Sequence, residues 1–132
     1  MKPLVLALSL VATFAAAAPA SAQQTPSLVG TWKGPSDGVG MEMGYVNADY
    51  GLVIEEQRGR SFKGKVIYPV PGGTKSEPIH GTITPDLKTV YVVGDDGFHI
   101  GTLQPDGKFD LCYLEVDDDD ALALCARLAK QP

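Results

Sequence analysis

The stretch FDLCYLEVDDDDALALCARLAK, residues 109–130, decides how the rest of the chain is read. Cys112 and Cys125 have their midpoint between Asp118 and Asp119, which is also the midpoint of the Asp117–Asp120 run. Folding the segment back on that centre sets Cys112 against Cys125, Tyr113 against Leu124, Phe109 against Leu128 and Asp110 against Arg127. Side chains alternate between the faces of a strand, so the bulky groups share one face, and the ion pair and cysteines share the other. A slip of one residue would undo packing, charge and disulfide together. The competing reading is a helix over Ala121–Lys130, rich in Ala and Leu, with Asp120 as its cap. Alternation and hairpin pairing together favour the strand.

Working back from this hairpin, short alternating apolar runs recur between turn residues, which is the pattern of an all-β sandwich or barrel. It predicts strands near Leu28–Lys33, Leu52–Gln57, Phe62–Tyr68, Pro78–Thr84, Thr89–Val93, Phe98–Leu103, Phe109–Glu115 and Leu122–Lys130. A weaker one falls at Met41–Val46, and Gly34–Asp49 fits either a loop or a strand. A turn at Arg58-Gly59-Arg60 would oppose Ile54 to Gly64, Glu55 to Lys63 and Glu56 to Phe62. A turn at Gln104–Gly107 would oppose Ile100 to Leu111 and Phe98 to Tyr113. The Gly94–Gly97 turn then needs a glycine bulge to bring Val92 and Phe98 to one face. Consecutive hairpins make an up-and-down antiparallel meander of about eight strands, which removes its edges by closing into a small barrel. The expected inward set is Leu52, Ile54, Phe62, Val66, Ile79, Ile83, Val90, Val92, Phe98, Ile100, Leu111 and Tyr113.

The first twenty-two residues read as a signal peptide, with Lys2, the apolar run Leu4–Ala18 and the small residues Ala20-Ser21-Ala22 before the cut. That run is shorter than the ~20 residues a spanning helix needs, so no membrane span is expected. Residues 23–27 form a tail, and 28–130 a single domain in a periplasmic or secreted protein. Eleven Lys and Arg less Lys2, against sixteen Asp and Glu, leave a formal charge of −6 on the exported part. That balance excludes nucleic acid and disfavours anionic membranes. An even cysteine pair in an oxidising compartment is expected to form the Cys112–Cys125 disulfide.

Leu28-Val29-Gly30-Thr31-Trp32 resembles the opening strand of the lipocalin and avidin group of secreted barrels. Phe62-Lys63-Gly64 and the meander from Phe98 to Tyr113 are similar in rhythm. The chain also resembles small exported bacterial domains of uncharacterised role that open the same way. The resemblance implies a barrel holding a small ligand in its mouth, with Trp32 at the closed end. Avidin-like biotin sites use several tryptophans, and Trp32 is the only one here, so no biotin site is carried over.

No catalytic constellation stands out. A Gly-x-Ser-x-Gly elbow is missing, and Glu55 and Glu56 point to opposite faces of a strand. His80 and His99 are expected on the strand surface, on the order of 10 Å apart, too far to share a zinc ion. Asp117–Asp120 lacks the ligand spacing of a calcium loop and reads as a solvated hairpin tip. No metal and no cofactor are expected. Glu56, inward near a turn, and Tyr68 and Tyr113, near strand ends, are candidates to line a ligand mouth with Trp32 and Phe98. The leading expectation is a non-enzymatic exported barrel that binds a small, partly apolar molecule. The alternatives are a periplasmic protein-binding module, such as a hydrolase inhibitor, acting through Gly34–Asp49, and a cyclase-like barrel enzyme. An exposed Met41-Glu42-Met43 loop would favour the first alternative, and a buried Glu56 with a raised pKa the second.

Overall fold

The computed structural model describes residues 23–132, so the signal-peptide expectation for 1–22 lies outside the described residues. Eight antiparallel strands run β1 (Gly30–Gly40), β2 (Gly44–Arg58), β3 (Ser61–Val70), β4 (Gly73–Ile83), β5 (Thr89–Val93), β6 (Gly97–Leu103), β7 (Phe109–Val116) and β8 (Ala121–Lys130). Each pairs with the next, and β8 pairs with β1, so the meander closes into a barrel without free edges.

The hairpin β7–β8 has the expected register, with Phe109 opposite Leu128, Asp110 opposite Arg127 and Cys112 opposite Cys125. The cysteines are bonded with Cα atoms 4.0 Å apart, the close spacing of a non-hydrogen-bonded pair. Arg127 grips Asp110 with two donors, Nε at 2.6 Å and an Nη at 2.7 Å, on the outer wall beside the disulfide. Leu124, Ala126 and Leu128 face the core with Phe109 and Leu111. Ala121–Lys130 is a strand, as alternation required.

Gly34–Asp49 is strand on both sides of a tight turn at Met41–Met43, so the weak strand expected at Met41–Val46 straddles that turn instead. Small residues hid the pattern because β1 carries the barrel's seam. A Cβ on Gly38 would strike Leu124 and the Ala123 carbonyl of β8, so bulk is excluded where alternation would have shown it.

Two registers differ from expectation, and each moves a candidate residue. In β2–β3, Ile54 opposes Gly64 as expected, but a bulge follows, and Glu56 opposes Lys63 while Gln57 opposes Phe62. The extra residue turns Glu56 outward, into ion pairs with Lys63 and Arg58, both at 2.7 Å. It brings Gln57 to the barrel end, where Gln57 accepts the Leu28 N–H and donates to the Pro26 carbonyl.

In β6–β7 the connection is one residue longer than expected, with the Gln104 N–H donating to the Lys108 carbonyl, so Phe98 opposes Leu114 and Ile100 opposes Cys112. That slip reverses the facing of all of β6. Phe98 and Ile100 lie on the outer wall, 44% and 39% exposed, and no bulge is needed at Gly94–Gly97, where Val93 simply opposes Phe98. The inward face of β6 reads Gly97-x-His99-x-Gly101. The reason is volume: a Cβ on Gly101 would enter the Phe109 ring, and one on Gly97 would meet the Tyr113 ring at 2.7 Å. The aromatic rings of β7 fill the space that β6 leaves vacant. Phe98→Ser is therefore expected to cost no more than about 1 kcal/mol, the scale of a cross-strand surface pair. Urea denaturation measures this, and a loss of 3 kcal/mol or more, ~3 being the core scale, would place Phe98 inside.

One end of the barrel is shut. Leu28 is buried there, the Trp32 Nε1–H donates to the Leu28 carbonyl at 2.8 Å, and Trp32 meets Phe109 edge-on at 5.9 Å. The Lys130 ammonium lies 5.7 Å from the Trp32 ring centre, over its face.

Candidate functional site

At the opposite end, the turns after β1, β3, β5 and β7 surround a cavity of about 280 Å³. Its walls come from the inward positions of strands that have run out of core. On β3 the alternation Phe62-x-Gly64-x-Val66 continues to Tyr68. On β4, read back from Ile79, it continues to Glu77 and Lys75, and on β7 it passes from Leu111 through Tyr113 to Glu115. Ser36, Tyr50, Val66, Leu122 and Leu124 complete the lower wall.

Tyrosine hydroxyls and carboxylates pair around this mouth. The Tyr68 hydroxyl donates to Glu77 at 2.7 Å, and the Lys75 ammonium lies 2.6 Å from the same carboxylate oxygen. The Tyr113 hydroxyl donates to Glu115 at 2.9 Å. Lys75 and then Tyr68 hold the Glu77 carboxyl below its ordinary range. Burial pushes Tyr113 up, and the bond to Glu115 pushes it further. Five acidic residues line the cavity (Asp49, Glu77, Asp96, Glu115 and Asp120) against one base, Lys75.

Beneath the cavity lies His99, 1% exposed, which corrects the expectation that both histidines are on the surface; His80 is exposed. Its Nε2 is 2.6 Å from the Tyr50 hydroxyl, and its ring lies 4.7 Å from that of Tyr113. Its Nδ1 lacks a well-formed hydrogen bond. Burial lowers the His99 pKa to about 4, the neighbouring Val92 backbone working weakly the other way. The imidazole is thus neutral at pH 7, matching a phenol neighbour that burial also keeps un-ionised.

This burial sets a pH dependence. Between pH 6.5 and about 4 the unfolded chain protonates the imidazole while the folded chain does not. Stability is expected to fall as pH drops through that window, by at most ~1.4 kcal/mol per unit. Below it both states are protonated and this contribution levels out. His99→Gln should flatten the slope between pH 6.5 and 4, read from urea midpoints; parallel curves for both proteins would refute a neutral buried His99.

Of the five ligand-lining candidates, Tyr68 and Tyr113 are brought together in this cavity. Trp32 packs at the shut end, Phe98 lies on the outer wall, and Glu56 sits outside in its ion pairs, with its carboxyl held down first by Lys63 and then Arg58. Tyr50, Lys75, Glu77 and Glu115 were not singled out from sequence, and His99 was weighed only as a zinc ligand. Lys75, Glu77 and Glu115 had a readable signal, since each continues the inward alternation of a core strand; His99 had none, because it rested on the β6 register.

Among the described residues no cluster of His, Cys, Asp or Glu could hold a metal ion, and no helix is long and apolar enough to cross a membrane. Comparison with protein-family models, curated proteins and solved structures found no match.

Proposed function

We propose that this chain is an exported, non-enzymatic binding protein that holds a small, partly apolar molecule in the barrel mouth. The observation that carries this reading is the asymmetry of the two ends. One is plugged by Leu28, Trp32 and Phe109, and the other opens on a cavity walled by Tyr50, Tyr68, Tyr113, Val66 and Leu124. Convergent polar groups on an apolar, concave surface are what ligand sites share, and about 280 Å³ is just under their usual size, fit for a small molecule. The likeness of Gly30-Thr31-Trp32 to the lipocalin and avidin opening, and an eight-stranded closed barrel compatible with that group, support the same reading. The disulfide is in keeping with export.

Native mass spectrometry of protein purified from its own exporting cells tests both parts. The chain should begin at Gln23 and carry a small molecule that Ser36→Leu, which fills the lower wall, releases. A chain beginning at Met1 would overturn export, and a mature chain with no small molecule at any concentration tested would overturn the ligand reading.

The outer wall favours a second reading, a protein-binding module. Tyr91 opposes Ile100 and Val93 opposes Phe98, all exposed, so the reversed facing of β6 creates a continuous apolar patch. Met41 and Met43, also exposed, add a separate contact at the β1–β2 tip. A co-purified protein released by Phe98→Glu would establish this reading. The cyclase-like alternative loses its premise, because Glu56 is turned to the outer wall in ion pairs with Lys63 and Arg58, and its pKa is lowered.

A further inference from the structure

We propose that the Tyr113–Glu115 side of the mouth receives the ammonium group of a small organic amine whose apolar part enters the cavity. The inference rests on the ligand reading above and names the chemical class. Its basis is that the protein already shows how this mouth holds an ammonium. On the β3–β4 wall the Lys75 Nζ sits 2.6 Å from Glu77, which also accepts the Tyr68 hydroxyl, and 6.0 Å from the Tyr68 ring centre. That is a carboxylate, a phenol and a ring face around one cation.

The same pair of groups recurs on β7, where the Tyr113 hydroxyl donates to Glu115 at 2.9 Å. There no protein cation completes it: Glu115 takes part in none of the ion pairs among the described residues. Both pairs line one cavity, and the five acids against one base along its walls repel anions and attract cations. A bare divalent ion needs several converging oxygens, and no such cluster exists among the described residues. An organic ammonium needs fewer, since one carboxylate and one ring face suffice for the charge. Val66, Leu122 and Leu124 then face its apolar part.

Three probes of one size separate the charge from the apolar body: n-hexylamine, 1-hexanol and hexanoate, titrated at pH 7 into the exported chain and followed by backbone amide shifts. Hexylamine is expected to move Gly97, Tyr113 and Leu124 saturably, with 1-hexanol about tenfold weaker or more and hexanoate silent. Glu115→Gln should weaken hexylamine by about tenfold, whereas Asp118→Asn, which removes the same charge from the hairpin tip outside the cavity, should change it by less than about twofold. Melting curves of both variants verify the fold. Hexanol binding as tightly as hexylamine, or equal effects of the two variants, would overturn the amine inference while leaving an apolar ligand site in place. Silence from all three probes would overturn it too, with the ligand reading then decided separately by the co-purified molecule.

Discussion

Phe109→Ala is expected to lower the unfolding free energy by about 3–5 kcal/mol. Phe109 is fully buried, opposite Leu128 and edge-on to Trp32 at the shut end. Its ring also occupies the space over Gly101, where the neighbouring strand has no side chain to move in. A cavity left at such a site cannot be filled by a small rotation, and it is the unfilled volume that raises the cost above simple transfer from water. Against a typical domain stability of ~5–15 kcal/mol, that loss is a large share of the total, and at the low end of the range it would leave the variant barely folded. Urea denaturation of both proteins gives the difference directly. A loss below about 1.5 kcal/mol would mean that the shut end relaxes around the missing ring and is not the packed plug described.

Removing the Cys112–Cys125 bridge by a double change to alanine is expected to cost on the order of 3 kcal/mol and about 13 °C in melting temperature. The bonded residues are thirteen apart, a short loop, so the entropy of closing it is at the lower end of what a disulfide supplies. Its position adds to the consequence. It fastens β8 to β7, and β8 is the strand that closes the barrel against β1. Hydrogen exchange should therefore show Ala121–Lys130 and the facing half of β1 loosening before the remaining strands. Uniform loosening of all eight strands would mean that closure does not depend on this hairpin, and free thiols in protein purified from its own cells would remove the bridge altogether.

The parts of the fold that were legible are those fixed by neighbours in sequence. In Phe109–Lys130, one register satisfied a disulfide, an ion pair and an apolar face at once, so an isolated reading of 22 residues was sufficient. The meander and its closure followed from alternation and turn spacing, which are also local. Tyr68 and Tyr113 could be placed near a mouth because each sits toward the end of a strand whose core face was already known.

What the sequence could not determine was how volume is shared inside the closed barrel. Phe98 and Ile100 look like the inward face of β6 when that strand is read alone. The interior beside them is already taken by Phe109 and Tyr113, and only Gly97, His99 and Gly101 fit there. The same competition put glycines along β1 at the seam and erased its pattern, and a single bulge after Ile54 exchanged Glu56 for Gln57. Composition, alternation and the β7–β8 hairpin thus determined a disulfide-closed antiparallel barrel. The buried His99, the apolar outer wall and the tyrosine–carboxylate mouth were decided only by tertiary structure, because a strand's facing depends on the space its neighbours across the barrel have already filled.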